Sequence, residues 1–135
     1  MERERIVEEL AGTPGLLFAV LFGSRRTGRG RPDSDWDLGI YLDEGMGASE
    51  RDRNRARLIA ALEPSIRVDV VLLNGAPALL ARRALDGERL LLRDPRAWIR
   101  FAVRTLAAAG DEAFWRELHL RERERRLAEG RFGRP

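Results

Sequence analysis

The chain opens with apolar positions at helical spacing and then changes to a solid apolar run. In residues 2–11, Ile6, Val7 and Leu10 recur three and four apart, which predicts an amphipathic helix ended by Gly12-Thr13-Pro14-Gly15. Residues 16–22 (LLFAVLF) are apolar throughout, the pattern of a buried strand, and Gly23-Ser24 turns the chain. Residues 35–42 alternate instead. Trp36, Leu38 and Ile40 fall on one face of a strand, Asp35 and Asp37 on the other.

A helix is expected over 49–62, with Ser49 as its cap, Leu58, Ile59 and Leu62 on its core side, and Pro64 beyond its end. Residues 66–73 (IRVDVVLL) read as a third strand with Asp69 in its middle, stopped by Asn74-Gly75. Pro77 suits the first position of a helix whose apolar side is Leu79, Leu80 and Leu85. Asp86-Gly87 closes that helix, and 88–92 predicts a short edge strand. Two further helices are expected over 95–109 and 111–129, anchored by Trp98, Phe101, Phe114, Trp115 and Leu118. Residues 1–129 thus read as one domain, with 130–135 a disordered tail.

Composition removes whole classes of chemistry. There is no cysteine and one histidine, His119, and every basic side chain is arginine. Disulfides, thiolate nucleophiles, zinc clusters and Schiff bases are therefore excluded. What remains is carboxylates, hydroxyls, arginines and a hard, oxygen-seeking ion such as Mg²⁺ or Mn²⁺. The net charge of +3 is too small to argue for nucleic acid as a substrate. In 116–126 (RELHLRERERR) glutamates interleave the arginines, and Glu117–Arg121 and Glu122–Arg126 make favourable i,i+4 pairs on a solvated face. The longest apolar run is too short to span a bilayer, and a cytoplasmic protein is expected.

The acidic residues carry the candidate chemistry. Two carboxylates at i and i+2 of a strand point the same way, roughly 7 Å apart along the chain. They can share a pair of divalent cations about 3.5–4 Å apart, the arrangement used for phosphoryl and nucleotidyl transfer. Asp69, inside an apolar strand, cannot be buried unpaired. It either meets an arginine or joins Asp35 and Asp37 from a neighbouring strand. The turn Gly23-Ser24 offers backbone N–H groups and a hydroxyl to phosphate oxygens. Arg25, Arg26, Arg29 and Arg31 follow as a solvated loop or as a clamp on a triphosphate.

Gly23-Ser24, ten residues, Asp35-x-Asp37 and then Asp69 in an apolar strand resemble the signature of the DNA polymerase beta nucleotidyltransferase superfamily. The compact chain resembles its minimal nucleotidyltransferases. The resemblance implies an α/β nucleotidyltransferase fold, a small mixed sheet covered by helices. It implies that Gly23 and Ser24 bind the nucleotide phosphates, with Arg25 or Arg26 beside them, and that Asp35 and Asp37 ligate Mg²⁺. Asp69 would complete the second metal site and help deprotonate the attacking hydroxyl. One departure concerns the arginine: the family often has Ala-Arg-Gly after Gly-Ser-x, whereas this chain has Arg26-Thr27-Gly28.

The reaction so implied is transfer of AMP from ATP onto a hydroxyl. Minimal nucleotidyltransferases are paired with HEPN-type RNase toxins and act as antitoxins that adenylylate a tyrosine of the partner. Two rivals stand beside that expectation: transfer to a small-molecule hydroxyl, and neutralisation of a partner by contact alone.

Overall fold

The computed structural model describes residues 1–22 and 35–108, together with 116, 119, 120, 123 and 124, which are helical and exposed. The helix expected over 111–129 and the tail lie otherwise outside the described residues, as do the anchors Phe114, Trp115 and Leu118 and the ion pairs of 117–126. The elements run α1 (Glu2–Ala11), β1 (Leu16–Phe22), β2 (Trp36–Leu42), α2 (Ala48–Leu62), β3 (Val68–Leu72), α3 (Ala78–Leu85), β4 (Glu88–Leu92) and α4 (Pro95–Ala108). The four strands form one mixed sheet in the order β3-β2-β1-β4. β1 runs antiparallel to β2 and β4, while β2 and β3 are parallel. This is the α/β architecture expected from the strand and helix patterns. Among the described residues no helix is long and apolar enough to cross a membrane.

The sheet order explains the apolar patterns. β1 and β2 are the inner strands, covered on both faces, so both faces must be apolar. On one face, Leu16, Ala19, Leu21, Leu38, Ile40 and Val70 pack against Ile6 and Leu10 of α1 and Leu58 and Leu62 of α2. On the other, Phe18, Val20, Tyr41 and Leu73 pack under Ala81 and Ala84 of α3 and Phe101 of α4. Phe18 is the centre of that second layer. It stacks on Tyr41 with ring centroids 5.0 Å apart and meets the edge of Trp98 at 5.1 Å.

Two local expectations change. α2 begins one residue before Ser49: Gly47 is its N-cap and accepts the first helical bond from Arg51 N, so Ser49 lies inside the first turn and caps nothing. In α3 the buried face is Ala81, Arg82 and Ala84, and Leu79 is 60% exposed. Small side chains let this helix sit close to the sheet, which leaves the leucine outside. β3 is an edge strand, and Asp69 in its middle is exposed at the rim.

Two side chains finish the sheet. Asn74 accepts from Leu42 N (2.9 Å) and donates to Leu42 O (2.8 Å), so its amide continues the β2–β3 pairing past the strand end. Arg55 of α2 donates to the Val70 carbonyl of β3 at 3.0 Å.

Candidate active site

Strand alternation gathers the acidic residues. Register pairs Asp37 of β2 with Asp69 of β3, so two carboxylates stand side by side on adjacent parallel strands. Asp35, two residues before Asp37, precedes β2 on the same face. That face is the one carrying Tyr41 and Leu73, hence the face that α3 and α4 cover further along. β1 ends at Phe22, directly opposite Asp37. Gly23, Ser24, Arg25 and Arg26, expected to hold the nucleotide phosphates, lie outside the described residues.

The electrostatics are those of like charges crowded together. Burial first, and then the carboxylates of Asp69 and Asp35, hold the Asp37 carboxyl above its ordinary value of 3.8. Asp35 meets a cation already: its Oδ1 lies 3.3 Å from Arg67 Nε. With Asp35 turned to Arg67, no three acidic or histidine side chains among the described residues form a finished metal site. The donor set nevertheless fits a hard divalent cation in kind. Three carboxylates on one sheet face, one of them raised by burial and then by the other two, present the negative field that such an ion relieves.

Two contributors escaped the sequence reading. Arg67 is one, although its signal was present: it stands two residues before Asp69, so alternation puts it on the carboxylate face. Gly39 is the other. It lies between Asp37 and Tyr41, and a Cβ there would stand 3.0 Å from Phe22 Cε1 and 3.1 Å from Leu73 Cδ1. The missing side chain lets Phe22 and Leu73 close over β2 and fixes where β1 ends relative to Asp37. At the far end of the same face, a cavity of about 320 Å³ is lined by Tyr41, Leu73, Ala81, Phe101 and Arg104. Arg104 donates to the Tyr41 hydroxyl (2.6 Å) and to Glu44 (3.1 Å), tying α4 to the end of β2.

Comparison with known proteins agrees with this geometry. No curated protein sequence matches the chain. Among solved structures, a chain from a toxin–antitoxin complex with AMP-PNP superposes with a TM-score of 0.62 at 23% identity, covering 95% of this chain and 94% of that one. A chain from the complex of tri-AMPylated Shewanella oneidensis HEPN toxin with MNT antitoxin gives a TM-score of 0.55 at 22% identity, covering 94% and 91%. At these identities the likeness speaks for the fold. Residues 4–96, well over half of the chain, match the family described as Polymerase beta, Nucleotidyltransferase. They contain β1, β2 and β3 and with them Asp35, Asp37 and Asp69, and the chain belongs to the polymerase beta nucleotidyltransferase family.

Proposed function

We propose that this protein transfers AMP from ATP to a hydroxyl of a partner protein, a tyrosine of a HEPN-type toxin, and serves as that toxin's antitoxin. The observation that carries the reading is the side-by-side placement of Asp37 and Asp69 with Asp35 next to them. Support for the nucleotide and the partner comes from the two superposed complexes, one holding AMP-PNP and one an AMPylated HEPN toxin.

Asp35, Asp37 and Asp69 would hold Mg²⁺ or Mn²⁺, which supplies positive charge to the triphosphate and to the departing pyrophosphate. Asp69, exposed at the sheet rim, is open to an incoming hydroxyl and accepts its proton on a carboxylate oxygen. The acceptor oxygen bonds to the α-phosphorus as the bond to pyrophosphate breaks. Gly23, Ser24 and the neighbouring Arg25 and Arg26 would orient the phosphates. The acceptor must come from elsewhere if it is a tyrosine, because Tyr41 is the chain's only one and is 4% exposed.

The test is intact-mass spectrometry after incubation with ATP, Mg²⁺ and the HEPN-type protein from the same genome. Mass increments of AMP on the partner are expected, and Asp37→Asn should reduce their rate by roughly two or more orders of magnitude while the protein stays folded. A stable complex whose masses never change sinks the enzymatic reading in favour of neutralisation by contact.

A further inference from the structure

α4 has two apolar sides, and among the described residues the fold covers one. Ala97, Phe101 and Thr105 face the sheet and are buried. Ile99, Val103 and Leu106 recur at i, i+4 and i+7 on the opposite side, and they are 59%, 60% and 37% exposed. Their spacing is that of a continuous stripe along a helix about 21 Å long. A helix that is apolar on opposite sides is normally covered on both. Isolated exposed aliphatic residues need no explanation, but three in line on one helix mark an interaction surface.

The charge beside the stripe defines what covers it. The helix PRAWIRFAVRTLAA contains three arginines and no acidic residue. Arg104 is bound to Glu44 and Tyr41. Arg96 and Arg100 lie along one flank of the stripe; neither makes a close ion pair among the described residues, and Arg100 acts on Glu44 only through its charge at longer range. The complementary surface is therefore a protein helix with an aliphatic stripe and acidic residues along one edge. Nucleic acid fits less well, since the stripe is aliphatic and offers no aromatic platform to a base.

We propose that the outer face of α4, centred on Ile99, Val103 and Leu106, docks a helix of the partner protein, with Arg96 and Arg100 engaging acidic residues along that helix's edge. This rests on the reading of the protein as a transferase acting on a protein. The placement serves that reaction, because α4 covers the same face of the sheet that carries Asp37 and Asp69. A partner held on α4 keeps its acceptor hydroxyl on the carboxylate side of the sheet.

The experiment compares binding of the HEPN-type protein from the same genome to the full-length chain and to the Ile99→Glu/Val103→Glu and Arg96→Glu/Arg100→Glu variants. Binding is measured by titration calorimetry, AMP transfer by intact mass, and folding by circular dichroism and ATP–Mg²⁺ thermal shift. The aliphatic double variant is expected to stay folded, keep its ATP response and bind roughly two orders of magnitude more weakly. The arginine variant is expected to lose about tenfold and most of its salt dependence. Undiminished binding by Ile99→Glu/Val103→Glu overturns the docking surface while leaving AMP transfer intact as a conclusion. Wild-type binding without any AMP transfer, abolished by the same variant, upholds the surface and defeats the transferase reading. Absence of any wild-type complex overturns both. A wild-type dimer in light scattering that Val103→Glu converts to monomer reassigns the face to a second copy. Binding lost only in the arginine variant, with nucleic acid absorbing at 260 nm in the purified complex, reassigns it to nucleic acid.

Discussion

At the scale of single residues, the site is defined by a charge conflict and its local relief. Asp37 has a carboxyl raised above 3.8 by burial and by the carboxylates of Asp69 and Asp35. A group raised on folding stabilises the fold fully below its unfolded value and loses that contribution as pH rises through the folded value. Without divalent cations, Asp37→Asn should therefore melt at the wild-type temperature near pH 3.5 and above it near pH 7. Thermal scans in chelator across that range test this, and a gap that widens on acidification would refute it. Arg67 is the opposite element. Its pair with Asp35 is exposed at both ends and contributes roughly 0–1 kcal/mol, so Arg67→Gln should barely change the melting temperature. It should nevertheless tighten Mn²⁺ binding several-fold, because the Asp35–Arg67 pair then no longer has to be broken. Electron paramagnetic resonance titration of free Mn²⁺ reads this directly, and weaker binding in the variant would mean that Arg67 helps the ion rather than competing with it.

At the scale of elements, strands were easier to read than their positions. β1 and β2 are legible because inner strands must be apolar on both faces, and the Asp35/Asp37 alternation marks where β2 leaves cover. β3 is just as apolar in sequence but lies at the rim, since strand order is set by chain crossing and not by composition. That is why Asp69, in the middle of an apolar strand, is exposed. α3 shows a second limit: hydrophobicity favours Leu79 for the core, yet close approach to the sheet selects Ala81 and Ala84. Asp35 and Asp37 were legible as a pair from their i, i+2 spacing, whereas the place of Asp69 opposite Asp37 and the Arg67 contact depend on register between strands that only the fold supplies. The Asn74 clasp is likewise invisible in an Asn-Gly turn signal. It makes two hydrogen bonds to Leu42, each contributing about 0.5–1.5 kcal/mol, so Asn74→Ala should lower stability by about 1–3 kcal/mol in denaturant titration. A change below a few tenths would show that water replaces the amide without loss.

At the scale of the whole molecule, the two helical layers divide the work. α1 and α2 seal one face of the sheet; α3 and α4 cover the other only beyond the carboxylates, and α4 turns a second apolar side outward. The strand bearing Asp69 pays for its open position by being a rim strand, with a row of backbone groups that another chain can extend. The Val70 carbonyl on that row is the one Arg55 occupies. A guanidinium lying on the strand's free side blocks a foreign strand both by filling the acceptor and by placing a charge where a sheet would continue. Arg55→Leu should accordingly leave the monomer folded but make it self-associate in a concentration-dependent way, which light scattering with thioflavin fluorescence measures; a variant that stays monomeric at high concentration would show that the rim is guarded otherwise. The same arginine, bonded to the residue that follows Asp69, thus decides whether the strand that presents this carboxylate keeps its rim open or is consumed by the protein's own copies.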